Sequence, residues 1–398
     1  MKPRLPVESR YRPASLRRRV RSFIQVLEYY SLRFFGEDNC PFGQSGAIVV
    51  AVLVLTILSG FVLVFFYVPS PERAYQVMGS EVVSFVKAFH RVCADFLVLV
   101  ILFHVVRVWA SERFRGPRAR NWIKGLVMLC FIGLVGWSGY VLPWDERAMV
   151  LLNWGRDLAS SPDRWPILGW FRLGSIVDSL FFGHGGEVDI LLRVFALHVG
   201  GAILVLFMVV WHLRRVTPPR VVLPIRAWLV LIALILVVGG IARGFEVTYK
   251  PFNPFAPPEF IYIDIIITFP LLFYPLLGAP LLSGALLVVW VGLALLSRWG
   301  SQSLLTAVVD ESVCSGCRLC VQDCPYGAII MVSKLGGFEV ARVVPAYCNA
   351  CGICVGSCEE GALELPDLRS SDILSRIERI VEGSGREALD VQEVLNEF

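Results

Sequence analysis

The chain has 398 residues, of which 56% are hydrophobic and 18% charged, and it carries a net charge of +4 and a mean hydropathy of +0.65. These values exclude a soluble globular protein and indicate a chain that lies largely in a lipid bilayer. The basic N-terminal arm 1–45 contains no short apolar core followed by a small-residue cleavage site. We therefore predict no removable signal peptide and a cytoplasmic N-terminus in the inner membrane of a prokaryote.

Long apolar runs predict the membrane spans. About 20 residues are needed to cross roughly 30 Å of hydrocarbon, and six runs approach or exceed that length. They lie at 46–68, 83–110, 121–143, 190–213, 226–242 and 281–298. The stretch 261–279 is also apolar, but Pro270, Pro275 and nearby Pro280 interrupt it and Asp264 lies within it. We predict that it is a re-entrant or interfacial segment rather than a seventh span.

The connecting segments set the orientation, because an excess of Lys and Arg marks the cytoplasmic side. The N-terminal arm and the links after the second and fourth spans are basic. The segment 145–189 has four arginines against seven acidic residues, so it is predicted to lie outside. With six spans, the chain after Trp299 returns to the cytoplasm.

Four of the five histidines lie in two of the predicted spans, as two pairs with the same spacing. His90 and His104 are 14 residues apart, as are His198 and His212. Fourteen residues rise about 21 Å along a helix and return to nearly the same face. Two such helices running in parallel can hold two b-type haems with bis-histidine ligation. We predict His90 with His198 at an outer haem, and His104 with His212 at an inner haem.

Glycines on the two neighbouring spans repeat the same interval. Pairs of glycines 14 residues apart allow close approach of a bulky ring, although a single one would indicate only helix packing. They are Gly46, Gly60, Gly125 and Gly139.

Arginines beside the ligand histidines are candidates to pair with haem propionates. The alternative is that they are solvated residues near helix ends that only mark the membrane topology. They are Arg91, Arg107 and Arg214.

Four motifs resemble the cytochrome b family of the respiratory and photosynthetic quinol-oxidising complexes, over about residues 25–298. They are Phe-His-Arg at 89–91, Leu-Phe-His-Val-Val-Arg at 102–107, Gly-Tyr-Val-Leu-Pro-Trp-Asp at 139–145 and Arg-Val-Phe-Ala-Leu-His at 193–198. The resemblance implies that the first four helices hold the two haems. It also implies a quinone as substrate.

The outer quinone region that the resemblance implies contains Pro143, Trp144, Asp145 and Pro258. The family carries a Pro-Glu-Trp-Tyr motif there, and this chain has Pro-Glu-Phe-Ile at 258–261. Glu259 is the candidate acceptor of a quinol proton, with a simply solvated loop glutamate as the alternative. The missing tyrosine argues against quinol bifurcation at this site.

Cys40 is a candidate anchor for a covalent c-type haem. The photosynthetic branch of the family carries such a cysteine at the start of the first span, on the inner side. Cys40 lies on that side but about one helical turn before the matching position, Gln44. An inert interfacial thiol is the alternative.

Eight of the eleven cysteines form two groups after the last span, each with the spacing C-x₂-C-x₂-C-x₃-C. In such runs three thiolates bind one 4Fe–4S cluster and the fourth binds the other. Zinc sites generally use two pairs of ligands instead. The expected sets are Cys314, Cys317, Cys320 and Cys358 for one cluster, and Cys348, Cys351, Cys354 and Cys324 for the other. Residues 304–366 resemble the bacterial two-cluster ferredoxins.

These observations predict an all-α transmembrane bundle of about six spans with a four-helix dihaem core, followed by a small α+β ferredoxin-like domain. The predicted parts are the arm 1–45, a dihaem cytochrome b domain 46–225, a C-terminal membrane segment 226–300, a 2×4Fe–4S domain 301–366 and an amphipathic tail 367–398. The chain is thus predicted to be an oxidoreductase subunit that passes electrons between quinone, two haems and two cytoplasmic clusters.

Two other functions remain open at this point. One is a bifurcating quinol oxidase that works with a Rieske protein, and the other is an electron wire and membrane anchor without a quinone site. The expected partners are membrane quinone, other redox subunits such as a Rieske protein or a multihaem cytochrome, and a soluble cytoplasmic donor or acceptor. No nucleic-acid partner is expected.

Overall fold

The structure is a computed structural model that describes most of the chain up to residue 365. The described residues are 16–35, 45–110, 114, 119–165, 168–183, 185–213, 225–244, 249–253, 255, 258, 260–261, 264, 266–297, 306–324, 326–334, 337–345, 347–348 and 352–365. The chain divides into two compact units, the first comprising Met1–His212 and Arg220–Trp299 and the second Leu213–Pro219 and Gly300–Phe398.

The first unit is helical. Its helices are α1 (Leu16–Phe35), α2 (Ser45–Phe66), α3 (Pro71–Gly79), α4 (Glu81–Ala110), α5 (Ala119–Val141), α6 (Glu146–Ser160), α7 (Leu173–Phe181), α8 (Glu187–Leu213), α9 (Ile225–Gly244) and α10 (Tyr274–Leu296). Short 3₁₀ turns lie at Ser161–Arg164, Leu168–Phe171 and Phe269–Phe273. Within the described residues, five helical stretches are long and apolar enough to cross a membrane, and a shorter apolar stretch, Ala227–Ile241, lies within α9.

The multi-pass membrane character is therefore confirmed, and each of the six predicted spans has a helical counterpart. The re-entrant or interfacial segment predicted at 261–279 stays a prediction. Its second half lies in the apolar stretch Phe269–Leu296, in which a 3₁₀ turn precedes α10 and the helix is kinked at Gly278. Pro275 lies in the first turn of α10, where no backbone N–H is needed, and Gly278 adopts a left-handed φ of 67° just before Pro280. The kink at Gly278 therefore separates the first turn of α10 from the rest of the helix.

The segment predicted to lie outside, 145–189, folds into helices that pack against α10. The Trp154 and Tyr274 rings stack with centroids 4.8 Å apart, and the Tyr274 hydroxyl donates to Oδ2 of Asp157 at 2.7 Å. The Asp145 side chain caps α6 by accepting from the backbone N–H of Ala148 at 2.8 Å. Helix α6 and the 3₁₀ turn Ser161–Arg164 thus pack on α10.

The second unit is small and contains two antiparallel strand pairs and two short helices. Strand β1 (Val308–Val309) pairs with β4 (Leu363–Glu364), and β2 (Ile329–Ser333) pairs with β3 (Glu339–Val343). The helices are α11 (Leu319–Gln322) and α12 (Ile353–Gly356). The predicted fold class, a helical membrane bundle followed by a small α+β domain, is confirmed.

Candidate functional site

His90 of α4 and His198 of α8 face each other inside the bundle. Their ring centroids are 6.2 Å apart and the ring planes are inclined by 74°. With metal–nitrogen bonds of about 2 Å, two imidazoles on opposite sides of one metal ion stand about 6 Å apart between centroids. The structure thus brings together the two residues predicted at the outer haem, at a separation that fits an intervening iron atom.

Hydrogen bonds fix the tautomers of these two rings. Nδ1 of His90 lies 3.0 Å from the carbonyl oxygen of Thr56, and Nδ1 of His198 lies 2.9 Å from that of Val135. Because a carbonyl oxygen only accepts, each Nδ1 carries the proton and donates it. Each Nε2 therefore keeps its lone pair for a metal, the arrangement usual for ligand histidines.

His104 and His212, the residues predicted at the inner haem, differ from each other in their surroundings. Nδ1 of His104 lies 3.1 Å from the hydroxyl oxygen of Ser45. Nδ1 of His212 is buried and has no hydrogen-bond partner within the described part of the chain. The ammonium of Lys124 lies 3.8 Å from the ring centroid of Trp211, the residue before His212.

Each of the four predicted glycines faces one of the four histidines. A Cβ atom on Gly60 would lie 2.9 Å from Cε1 of His90, and one on Gly139 would lie 2.8 Å from Cε1 of His198. The other two glycines leave more room. A Cβ atom on Gly46 would lie 3.6 Å from Cε1 of His104, and one on Gly125 would lie 3.9 Å from Cε1 of His212. The glycines thus make room for the imidazole rings themselves.

Three serines near these histidines are functional candidates that the sequence prediction missed. The hydroxyls of Ser45, Ser59 and Ser138 lie 3.0–3.2 Å from Nδ1 of His104, His90 and His198. The signal was present, because each serine directly precedes one of the glycines. Only Gly125 is preceded by another residue, Lys124.

Arg91 belongs to a second polar group that the sequence prediction missed. Its Nε lies 3.9 Å from Oδ2 of Asp264, which also accepts a 2.6 Å hydrogen bond from the Tyr140 hydroxyl. Asp95 lies near Asp264, and its Oδ1 is buried without a hydrogen-bond partner among the described residues. Charged side chains in a membrane bundle are costly unless they are paired, and Arg91 and Tyr140 provide partners for Asp264.

Three residues of the predicted outer quinone region, Pro143–Asp145, connect α5 to α6. Trp144 is 2% exposed, stacks on Phe252 with centroids 4.5 Å apart and donates from Nε1 to Glu187 at 3.3 Å. Burial raises the pKa of the Asp145 carboxyl, and the nearby Arg147 guanidinium, 3.6 Å away, opposes that shift. In the described residues Trp144 and Asp145 thus act as packing and capping groups.

Several predicted site residues lie outside the described residues. They are Cys40, Arg214, Glu259 and Cys351. Pro258 and Arg107 are among the described residues. Arg107 lies in the last turn of α4 and interacts with at least one other residue.

In the second unit, one cavity is lined by four of the predicted cluster ligands. They are Cys314, Cys317, Cys320 and Cys358. These four come from both cysteine groups, in the crossed set expected for the first cluster. Two of the thiols accept backbone N–H groups: Sγ of Cys314 from Ala341 at 3.5 Å, and Sγ of Cys358 from Ala362 at 3.2 Å. Such N–H···S contacts tune cluster potentials.

The second cysteine group repeats the backbone of the first. Short helices follow Arg318 and Gly352, both with a left-handed φ, of 69° and 82°. Cys324 accepts from the backbone N–H of Ala328 at 3.3 Å, just as Cys358 accepts from Ala362. Within the described residues, Cys348 and Cys354 are buried in the core that Cys324 packs against.

Comparison with known proteins agrees with this geometry. Residues 40–218 match the family model "Cytochrome b/b6/petB" and residues 313–364 match "4Fe-4S dicluster domain". The cytochrome b subunit of menaquinol:cytochrome c reductase from Bacillus subtilis is 32% identical over 162 residues, covering 39% of this chain and 68% of that protein. The chain belongs to the cytochrome b family. Its C-terminal unit is a 4Fe–4S ferredoxin domain.

Other comparisons place this cytochrome b beside similar proteins. Cytochrome b6 from Prochlorococcus marinus is 31% identical over 159 residues, covering 38% of this chain and 69% of that protein. The structure titled "Hyperthermophilic respiratory Complex III" has a TM-score of 0.50 at 20% identity, covering 69% of this chain and 80% of that one, and so supports the fold alone. Membership implies b-type haem, and the residues around His90 and His198 fit that group.

Proposed function

We propose that this cytochrome b binds two b-type haems, passes electrons through them, and exchanges electrons with a membrane quinone and with two 4Fe–4S clusters. The observation that carries the proposal is the 6.2 Å separation of the His90 and His198 rings. The Nδ1–H of each ring donates to a backbone carbonyl, which leaves the lone pair on Nε2, and each ring has a glycine against it.

The inner haem is assigned to His104 and His212 on the same two helices. Fourteen residues separate each from the outer ligand on its helix, which places the two haems about 21 Å apart along the helix direction. Gly46 and Gly125 face these rings as Gly60 and Gly139 face the outer ones. Arg91, Arg107 and Arg214 remain the candidates for the propionates.

The clusters are assigned in crossed sets. The cavity lined by Cys314, Cys317, Cys320 and Cys358 supports the first set. The second set, Cys348, Cys351, Cys354 and Cys324, follows from the same spacing and from the repeated backbone. A cluster held by four cysteines from two separate loops also ties those loops together.

A quinol is the proposed membrane substrate. The name of the Bacillus relative includes menaquinol, and the outer region of this chain contains Pro258-Glu259 and Pro143-Trp144-Asp145. Glu259 is the proposed acceptor of a quinol proton. A carboxylate near the outer end of the haem pair would remove the proton while the electron enters the bundle.

The ferredoxin domain is proposed to lie in the cytoplasm. Six predicted spans, with the basic links after the second and fourth of them, support a cytoplasmic position for both the N-terminal arm and the ferredoxin domain. The proposed route joins the outer quinone region, the outer haem, the inner haem or an inner quinone, the clusters and a soluble cytoplasmic partner. A multihaem cytochrome is a further proposed partner within the complex.

Family membership favours a second candidate function, bifurcating quinol oxidation with a Rieske protein. The Bacillus relative is a subunit of a quinol:cytochrome c reductase by name. The Pro-Glu-Phe-Ile sequence at 258–261 argues against it, because the family tyrosine is replaced. Copurification of a Rieske protein, with quinol reducing both its cluster and the haems, would favour bifurcation.

The proposed function is tested by adding quinol to the purified, oxidised protein and recording haem and cluster reduction. We expect quinol to reduce the haems, and quinone-site inhibitors to slow that reduction. If dithionite reduced the haems but quinol and the inhibitors had no effect, the chain would be an electron wire without a quinone site.

The c-type haem at Cys40 remains a separate proposal. A covalent haem survives denaturing gel electrophoresis, so a haem stain on the denatured wild-type chain that disappears in Cys40→Ala would support it. A stain that persists in Cys40→Ala would refute it. Without any stain in the wild type, Cys40 is an inert thiol.

A further inference from the structure

Three polar side chains of the first unit, Asp95, Tyr140 and Asp264, have no role in the function proposed above. The Tyr140 hydroxyl donates to Oδ2 of Asp264 at 2.6 Å, and Nε of Arg91 lies 3.9 Å from the same oxygen. Asp95 lies near Asp264, whose side chain is 10% exposed. Ionisable side chains inside a membrane bundle are costly to bury and are usually functional. This group therefore calls for a role beyond packing.

The two carboxyl groups differ in their surroundings. Oδ1 of Asp264 accepts the backbone N–H groups of Ile266 and Ile267, at 2.8 and 3.3 Å, and Oδ2 accepts the Tyr140 hydroxyl. Donors on both oxygens stabilise an ionised carboxylate. Oδ1 of Asp95, in contrast, is buried and has no partner in the described part of the chain. Because a buried charge without a partner is far more costly than a neutral acid, Asp95 keeps its proton and Asp264 carries the charge.

A separate feature prepares the Tyr140 hydroxyl to lose its proton. The guanidinium carbon of Arg147 lies 4.8 Å from the ring centroid of Tyr140 and 5.0 Å from that of Tyr249. Arg147 is 9% exposed, and its Nε has no hydrogen-bond partner among the described residues. A cation over an aromatic ring is attracted to the electron density of that ring, and a phenolate has more of it than a phenol. Arg147 therefore lowers the free energy of proton loss from Tyr140 to Asp264.

We propose that Tyr140 and Asp264 form a proton relay that accepts one of the two protons of a quinol, at a site separate from Glu259. The relay rests on the quinol oxidation proposed above. Tyr140 lies three residues before Pro143, the first residue of the outer quinone region on α5 and its connection to α6. Asp95 remains neutral and takes no part in the transfer.

The step balances in electrons and protons. Oxidation of one quinol to a quinone releases two electrons, which leave in succession along the route proposed above, and two protons. One proton goes to Glu259. The other moves from the quinol oxygen to Oη of Tyr140 as the tyrosine's own proton moves to Oδ2 of Asp264. Asp264 is then neutral, and it recovers its charge when it releases the proton to water on the outer side.

The first test compares haem reduction by quinol and by dithionite in variants of the full-length protein. A positioned proton acceptor contributes roughly 10²–10⁴-fold to a rate, so we expect Asp264→Asn and Tyr140→Phe each to slow reduction by quinol at least about tenfold. Haem content and the extent of reduction by dithionite should not change. Because both residues act on one route, the double variant should be no slower than the slower single variant. Asp264→Glu, which keeps a carboxylate, should recover part of the rate.

Two control variants leave the relay intact. Tyr67→Phe removes the hydroxyl of another partly buried tyrosine, which donates to the carbonyl oxygen of Leu142 at 3.0 Å. Asp95→Asn replaces a neutral carboxyl with a neutral amide of the same shape. Both variants should keep the wild-type rate of reduction by quinol. The inference is overturned if Asp264→Asn and Tyr140→Phe also keep that rate, or if Asp95→Asn is slowed as much as Asp264→Asn.

Infrared spectroscopy of the oxidised protein tests the two protonation states without turnover. We expect Asp95→Asn to remove the C=O band of a carboxylic acid, and Asp264→Asn to remove the band of an ionised carboxylate. The reverse assignment would overturn the inference. If Asp264→Asn does not assemble haem, Tyr140→Phe and Asp264→Glu decide the kinetic test. A wild-type protein whose haems quinol cannot reduce would instead contradict the proposed function, and the infrared bands would still show which carboxyl is charged.

Discussion

Gly60 lies directly against His90, so that a Cβ atom at Gly60 would stand 2.9 Å from Cε1 of the imidazole. Real Cβ atoms essentially never approach another atom this closely, so the imidazole would have to shift if residue 60 carried a side chain. The position of the ligand ring is therefore set by the absence of a side chain on the neighbouring helix.

We predict that Gly60→Ala disturbs the outer haem. Overpacking of this kind costs about 1–3 kcal/mol and pushes the ring from its position. The expected result is a lower haem content or a shifted spectrum for the outer component alone. Gly46→Ala is the matched control, because its Cβ would lie 3.6 Å from His104, an ordinary contact. Equal effects of the two variants on haem content would contradict the account.

We predict that Tyr140→Phe lowers thermal stability more than Tyr67→Phe. The Tyr140 hydroxyl donates to the Asp264 carboxylate at 2.6 Å, while that of Tyr67 donates to the neutral carbonyl of Leu142 at 3.0 Å. Hydrogen bonds to charged groups contribute about 1.5–3 kcal/mol, against about 0.5–1.5 kcal/mol for neutral ones. Thermal unfolding of the two variants in the same detergent measures the difference. A smaller loss for Tyr140→Phe would rule out a charged Asp264 as its acceptor.

We predict that Cys358→Ser and Cys314→Ser damage the same 4Fe–4S cluster. Both residues line one cavity, although they lie far apart in the sequence. Paramagnetic resonance of the reduced protein should show the same missing signal in the two variants. Cys324→Ser is the control and should remove the other signal. If Cys358→Ser instead matched Cys348→Ser, the ligand sets would not be crossed.

The residues proposed to bind the haems and clusters could be selected from the sequence because their spacing is regular. The histidines repeat at 14 residues along two helices, and the cysteines repeat at the same short intervals in two groups. The serines before three of the glycines were overlooked because serine in a membrane helix often bonds only to its own backbone. Ser59 does so as well as approaching His90.

Contacts between distant segments were beyond prediction from the sequence. Asp264 lies more than a hundred residues after Tyr140, and nothing in the local pattern indicates that its carboxylate meets that hydroxyl and Arg91. Three prolines indicated an interruption before the last span, but the sequence did not identify the residue at which the helix bends. Gly278, with its left-handed φ, absorbs the bend before Pro280.

The most direct test of the central claim is a combined optical and paramagnetic redox titration of the purified full-length protein. The account predicts two b-type haem components with bis-histidine spectra and two 4Fe–4S signals, with His90→Ala removing one haem component and leaving both cluster signals. Fewer than two b haems in the wild type, or no 4Fe–4S signal, would contradict it.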